Sequence, residues 1–460
     1  MGRIPAILAI LLIIPLTVWA VFQNHDWRRA AFGRRANIVI DLAQPGGEIR
    51  ATLWQNFAQG GEEPKNMLAP IVNQIRALKP QLIRIDHIFD YYVKINGPNN
   101  YDFSALDQVV ETILQTGAKP MLVLSYMPPN LAQESNLTAP PNNWADWQRL
   151  VAATIARYSG YRGYNINNVY YEVWNEPDLF GRWHYGKKPN YLTLYYHTVK
   201  AAQSVTQTQP FKIGGPATTG FYPNWLKALF KFGQKNNLRI DFVSWHRYSK
   251  SIEDYQEDLE KLNRILTDYP EYFGVERLIT EVGPDSENSP WYDNKLGAAH
   301  SLALTTRLLG RVHRLFTFEL KDGPNPEGKK YWGRWGLITH EQAGLVAKPR
   351  YYAYLFLNQL VGRRLPLEGE GSWVSALAAQ DGPITRVLLV NYDPRNRHYE
   401  APPITLKNLT PGAYVYRVKY FQGREMTVRE NYPSNNLTKK VILPPNSAAL
   451  LEFRRLGPSE

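Results

Sequence analysis

Tyr170-Tyr171-Glu172-Val173-Trp174-Asn175-Glu176-Pro177 is an apolar, aromatic run that ends in an acid, and the fold of the chain turns on it. Val169, Tyr170, Tyr171, Val173 and Trp174 are β-branched or aromatic, the types that suit a pleated surface. The run has the length of a parallel strand covered on both faces. Pro177 has no amide hydrogen with which to extend a ladder, and its ring steers Glu176 away from helical dihedrals. The stretch predicts a buried strand with Glu176 at its last position. Taken alone, Asn-Glu-Pro equally describes a surface acid before a turn, so the surrounding chain has to decide.

On either side the chain alternates strand and helix. Ala36–Leu42 reads as a first apolar strand, and Asn66–Leu78 as a helix with Leu68, Ile71, Val72 and Ile75 on one face. Leu82–Asp86 is a second strand. Ser104 and Asp107 open a helix that Gly117 closes, and Pro120–Tyr126 is a third strand. Trp144–Tyr158 reads as a helix leading to the opening stretch, which becomes strand four. Beyond it, Phe211–Gly215, Ile240–Trp245, Arg277–Thr280 and Arg314–Leu320 read as strands five to eight, with apolar helical faces between them. Eight such pairs predict a (β/α)8 TIM barrel over residues 36–362. From 363 to 460 helical periodicity stops, and short strands alternate with Pro, Gly and Asn turns. This predicts a C-terminal β-sandwich domain, with a structural cap preferred over a separate carbohydrate-binding role.

Composition supports a large core, with 44% hydrophobic and 13% aromatic residues. The 13 Trp and 29 Tyr are more aromatic surface than a core needs, and aromatic faces suit flat ligands with apolar C–H faces. There is no cysteine, which excludes a disulfide framework and thiolate metal sites. The net charge of +12, with a pI near 9.4, favours an anionic partner or a membrane surface over a neutral one. Nucleic acid is not expected, because no basic helix, zinc spacing or known binding module is present.

In a barrel the C-terminal strand ends line the active site. Glu176 ends strand four, and Glu281 ends strand seven in Leu278-Ile279-Thr280-Glu281-Val282-Gly283. Two carboxylates across one cleft are what glycoside hydrolysis requires, one protonated and one ionised. With Trp174-Asn175-Glu176-Pro177, Ile213-Gly214-Gly215-Pro216-Ala217, Asp241-Phe242-Val243-Ser244-Trp245-His246, Thr280-Glu281, and Gly336-Leu337-Ile338 with Lys348-Pro349, the chain resembles glycoside hydrolase family 39. The resemblance implies a retaining glycosidase in which Glu176 is the general acid/base and Glu281 the nucleophile. Asn175 would hydrogen-bond the sugar 2-hydroxyl, Arg84 would donate to the nucleophile, and His246 and Tyr248 would lie beside it. A barrel ion pair with Asp86 is the plainer account of Arg84, and a core position the plainer account of His246.

Trp54, His87, Tyr126, Trp183, Trp332 and Trp335 are candidate sugar platforms, each as well explained by packing. Arg182, Lys187 and Lys188 would meet a substrate carboxylate or form a solvated loop. Strand eight reads Phe316-Thr317-Phe318-Glu319 where several relatives carry a Trp, which makes Glu319 a reserve nucleophile. No metal or cofactor is expected. The family spans β-xylosidases, α-L-iduronidases and bacterial exopolysaccharide endoglycosidases, and the shared motifs do not choose among them. The alternative is a non-hydrolytic glycan-binding or polysaccharide-assembly protein on the same scaffold.

Residues 4–22 carry no charge and are long enough to span a bilayer, and Val18-Trp19-Ala20 offers a cleavage site. Residues 1–35 therefore read as a signal or anchor segment with a basic linker. Arg28, Arg29, Arg34 and Arg35 follow the apolar run and only Arg3 precedes it, which opposes simple export with the N-terminus inside. Secretion or outward-facing anchoring in the cell envelope is still the expectation, because a glycan-cleaving domain must reach its substrate.

Overall fold

The computed structural model describes residues 33–457. The apolar segment at 4–22 lies outside them. Among the described residues no helix is long and apolar enough to cross a membrane. The chain divides into two compact units, Ile49–Leu360 and a second made of the chain up to Glu48 with Val361–Glu460.

The first unit is a closed barrel of eight strands: Asn56–Gln59, Leu82–Ile85, Lys119–Val123, Val169–Glu172, Phe211–Thr218, Phe242–Tyr248, Glu276–Gly283 and Arg314–Phe318. Every pairing is parallel, and the eighth strand closes on the first through Phe316 opposite Asn56. Helices such as Ser104–Gln115, Trp144–Tyr158 and Ile252–Asp268 bridge successive strands, as parallel connections require. Inside the barrel Ala58, Leu82, Met121, Tyr170, Phe242, Leu278 and Phe316 form one apolar layer. Gly214 of strand five is dictated by that crowding, since a Cβ there would collide with the Phe242 carbonyl oxygen.

One strand assignment is corrected. Ile38–Asp41 is not the first barrel strand; it belongs to the second unit, antiparallel to Leu367–Glu368 and parallel to Pro403–Lys407. The burial pattern gives the reason. Ile38 and Ile40 are fully buried while Val39 and Asp41 are not, the alternation of a sheet with one open face. The true first strand, Asn56-Phe57-Ala58-Gln59, is buried at all four positions, but its polar ends hide it from a search for apolar runs. The barrel accordingly starts after residue 48 rather than at 36. The helix expected over 66–78 is a 3-10 turn, Ala69–Ile71, followed by Val72–Ala77, because Pro70 cannot donate in a continuous helix.

The second unit is the sandwich expected from the sequence. Its four-stranded sheet runs Leu367–Glu368, Ile38–Asp41, Pro403–Lys407, Leu437–Lys440. A six-stranded sheet runs Arg363–Leu365, Val374–Asp381, Ile384–Asn391, Ser447–Arg455, Gly412–Tyr420, Glu425–Tyr432. Ile38, Ile40, Val387, Leu389, Ile404, Leu451 and Phe453 share its core.

Candidate active site

Arg84 is the hub of the site. It sits on the second barrel strand with no exposed surface. Its Nε donates to Glu172 Oε2 at 2.7 Å, Nη1 to Glu281 Oε1 at 2.8 Å, and Nη2 to Asn175 Oδ1 at 2.7 Å. Its partners are thus strand four, strand seven and the loop after strand four. The donation to Glu281 is the one expected of Arg84, and the alternative ion pair with Asp86 is not made.

His246, at the end of strand six and fully buried, joins the two acids. Its Nδ1 lies 2.8 Å from Glu176 Oε1 and 3.5 Å from Glu281 Oε2. One oxygen of each acid and the ring nitrogen lie within 4.8 Å of one another. Tyr248, two residues further on, donates to Glu281 Oε2 at 2.6 Å. Asn175 Nδ2 donates to the Tyr126 hydroxyl at 2.9 Å. Seven residues from five successive parts of the chain (Arg84, Tyr126, Asn175 with Glu176, His246 with Tyr248, Glu281) therefore meet at one end of the barrel.

The electrostatics follow from burial. Burial raises the Glu281 carboxyl above its ordinary range, while His246, Arg84 and the Tyr248 hydrogen bond pull the other way. For His246 burial favours the neutral ring, but Glu281 and Glu176 outweigh it, and the imidazole ends above its ordinary value. The two acids thus favour the charged form of the His246 ring, against its burial.

Glu176 does not occupy the last strand position. The ladder ends at Glu172, and Glu176 lies on the following loop with a φ of +44°, close to Trp174 at +72°. Left-handed backbone at two non-glycine residues is costly and must be held by its surroundings. Glu176 N donates to Ala217 O at 2.9 Å, and the amides of Leu179 and Phe180 donate back to Glu176 O. The loop after strand four is thereby stitched to the end of strand five beneath the acid.

Two further buried acids stand beside the hub: Glu172, to which the sequence assigns no role, and Asp86, which it offers only as an alternative partner for Arg84. Glu172 is fully buried, and its Oε1 has no hydrogen-bond partner. Alternation was the available signal: Tyr170 faces the barrel core, so Glu172, two residues on, faces the same way. Asp86 is two residues beyond Arg84 and buried, and its Oδ1 also lacks a partner; burial raises its carboxyl.

The candidate platforms divide. His87 is half-buried after strand two, its Nδ1 2.7 Å from Asp90 Oδ2 and its ring stacked on Tyr91 at 4.4 Å and edge-on to Tyr126 at 4.6 Å. Trp335 packs on Phe318 at 5.3 Å with the Arg334 guanidinium 3.6 Å over its ring. Trp332 lies 5.3 Å from the same guanidinium. Trp54 is corrected: it precedes the first barrel strand, is 1% exposed, and donates from Nε1 to Asn358 Oδ1 at 2.9 Å, so it packs the opposite end of the barrel. Trp183, also 1% exposed, supports Trp174 at 5.5 Å and presents no open face. Arg182, Lys187 and Lys188 are exposed on the loop after strand four.

Glu319 is turned away from the Arg84 hub. Its Oε2 accepts from Gln59 Nε2 at 2.8 Å and Gly60 N at 3.2 Å, and burial, with Glu62 and Asp322, pushes its carboxyl well above the ordinary range. Glu63, His340 and Glu341 form a second cluster of metal-ligand types, but Lys65 and Lys321 already supply its positive charge.

A parallel eight-stranded barrel carrying acids after strand four and on strand seven defines the architecture of the large group of (β/α)8 glycosidases. The chain belongs to glycosyl hydrolases family 39, whose sequence profile matches residues 73–391. A β-xylosidase of Geobacillus stearothermophilus is 27% identical over 333 residues, 64% of this chain and 63% of that protein, and one of Caldicellulosiruptor saccharolyticus is 26% identical over 301 residues, 60% of each. The chain thus spans about 63% of the length of the first curated relative. Among solved structures, a monomeric β-xylosidase from Caulobacter crescentus CB15 superposes with a TM-score of 0.73 at 20% identity, covering 92% of this chain and 100% of that one. A GH39 enzyme from Xanthomonas axonopodis pv. citri gives 0.74 at 21%, covering 92% and 98%. These superpositions speak to the fold.

Proposed function

We propose that the chain is a retaining glycoside hydrolase, and the observation that carries this reading is the meeting of Glu176 and Glu281 at His246. Acid oxygens within 4.8 Å fit the roughly 5–5.5 Å spacing of retaining enzymes and leave no room for the water that inversion places between acids roughly 6.5–9.5 Å apart. Glu281 attacks the anomeric carbon as the bond to the leaving oxygen breaks. Glu176 gives that oxygen its proton, so an alcohol leaves and a glycosyl ester of Glu281 remains. Water then attacks the same anomeric carbon, Glu176 takes the water's proton, and the bond from that carbon to Glu281 breaks to release the carboxylate. Arg84 and Tyr248 hold the attacking carboxylate, and Asn175, fixed by Arg84 and Tyr126, is aimed to bond the 2-hydroxyl.

A non-hydrolytic role has no support in a site where both acids and their orienting groups are present. The relatives named β-xylosidases make β-xylosides the first substrates to try. The net charge of +12 and the exposed Arg182, Lys187 and Lys188 support an anionic polysaccharide as the larger substrate, and the apolar segment at 4–22 supports secretion or outward-facing anchoring. The test is a panel of aryl glycosides and anionic polysaccharides against the wild type, Glu176→Gln and Glu281→Gln. Each variant is expected to lose hydrolysis while keeping the wild-type circular dichroism spectrum. Full turnover by both variants would overturn the reading.

A further inference from the structure

Beside the Glu176 loop lies a cavity of about 330 Å³ that the arrangement described so far does not use, lined by Asp178, Tyr185, Tyr222 and Trp225 among others. It is built from the loop after strand four and from the loop and first helical turn, beginning at Pro223, after strand five, on the barrel face that carries the acids. Asp178 is two residues beyond Glu176. Its carboxylate accepts from Thr219 N at 3.0 Å and pairs with the Thr219 hydroxyl, which in turn lies 3.0 Å from the Tyr222 hydroxyl. Trp225 forms the wall, 5.7 Å and edge-on from Tyr185 and 5.5 Å from Tyr191. The Tyr191 hydroxyl donates to Val173 O at 3.0 Å, three residues before Glu176. The cavity is therefore fixed to the same short stretch of chain that fixes the acid.

Its surface is unusual for a loop junction. Tyr185 and Tyr222 are 40% and 42% exposed, although both are large rings that packing alone would bury. Rings with one open face, next to a carboxylate, are what a sugar unit needs: stacking for its C–H face and an acceptor for its hydroxyls. The volume lies in the range of about 300–1,000 Å³ typical of ligand sites.

We propose that this cavity is a subsite for the leaving-group side of the substrate, holding sugar units of a polysaccharide beyond the bond that is cut. The inference rests on the glycosidase reading above, because it takes its direction from Glu176. A general acid protonates the leaving oxygen, so the departing sugar must lie along the acid's own loop rather than along strand seven. Asp178, Tyr185 and Tyr222 continue that loop and the loop stitched to it. Filling the cavity requires a chain that extends past the scissile bond, and the enzyme then acts on long chains in preference to single-sugar glycosides.

The test compares the wild type with Tyr185→Ala/Tyr222→Ala on 4-nitrophenyl β-xyloside, which has one sugar, and on xylohexaose. The quantity read is the ratio of kcat/KM on the hexasaccharide to that on the aryl glycoside. It is expected to fall by about tenfold or more in the variant, with the loss in KM, and Tyr185→Phe/Tyr222→Phe should restore most of it. Wild-type cleavage of the hexasaccharide at internal bonds is expected as well. Turnover of the aryl glycoside with an unchanged ratio overturns the subsite and leaves the glycosidase reading standing. Turnover of neither probe excludes xylosides as the substrate, and the same ratio, with the same two outcomes, is then read on the aryl glycoside and the long chain of the panel that the wild type cleaves. A change in sedimenting mass in the variant, with the ratio unchanged, would show that the rings serve contact between copies of the chain instead.

Discussion

Replacing Arg84 by Met removes the hub while keeping the length and apolar stem of the side chain. Three charge-assisted hydrogen bonds are lost at once, to Glu172, Glu281 and Asn175, in an environment with no solvent. Removing one partner of a buried ion pair costs about 3–5 kcal/mol, because the other charge stays behind unpaired. With about 2–4 °C per kcal/mol for a large domain, Tm should fall by roughly 6–20 °C, toward the lower end for a chain of this length. Two of the lost contacts also act on the reaction, and at about 1.5–3 kcal/mol each they predict a loss of kcat/KM of roughly a hundred- to ten-thousandfold. The stability deficit should depend on pH in a definite direction. Burial already raises the Glu281 carboxyl, and Arg84 is among the groups opposing that rise. Without Arg84 the folded state holds the Glu281 proton still more tightly than the unfolded chain does. The deficit is then full above the folded pKa and shrinks as pH falls through it. Differential scanning calorimetry of both proteins at about pH 8 and about pH 5 reads this, and the Tm gap should narrow on acidification. A gap that widens, or a Tm that does not move while activity is lost, would refute the view of Arg84 as the charge that holds the site together.

Tyr248→Phe deletes the 2.6 Å bond to Glu281 Oε2, which favours the carboxylate, so the acid limb of the kcat/KM profile should move to higher pH by about one unit. A limb that stays in place would assign it to another group. Glu319→Gln keeps an acceptor for Gln59 and Gly60, and hydrolysis should stay within about tenfold of wild type, whereas loss of a nucleophile would abolish it. In the wild type the raised Glu319 carboxyl makes the folded state hold its proton more tightly, so stability falls as pH climbs past the unfolded value of about 4.3. The Gln variant escapes that loss and should melt at or above the wild-type temperature at about pH 8, which thermal denaturation followed by circular dichroism would check.

How much of this was legible in the sequence depended on the distance over which each feature is encoded. Strands two to eight were readable because apolar runs and helical faces are local patterns. Glu281 was readable as a site residue because a strand end fixes where a side chain points, whereas Arg84 entered through the family resemblance. Trp54 lies at the other end of the barrel for a single reason: the strand at Ile38–Asp41 belongs to the second unit, so the residues before Asn56 precede the first barrel strand instead of following one. Period-two burial at Ile38 and Ile40 marks that strand as half-covered, but the strands it pairs with, Leu367–Glu368 and Pro403–Lys407, lie more than three hundred residues away. Glu176 was identified by its neighbours, yet its left-handed backbone was not, since that conformation is held in part by a bond to Ala217 on strand five, 41 residues on. The charge set is the clearest case. Alternation from Tyr170 and from Arg84 puts Glu172 and Asp86 on inward faces, and a charge placed inward has to find a partner. Which partner it finds is not local. Arg84 has Asp86 two residues away and pairs instead with Glu172, 88 residues on, and Glu281, 197 residues on. Barrel closure brings strands two, four and seven to one axis, whereas neighbours two apart on a single strand share a face but stand at different heights along it. Inward-facing charges in such a fold are therefore better paired by their height above the barrel's apolar layer than by their separation along the chain, and that rule selects Glu172 and Glu281 for Arg84.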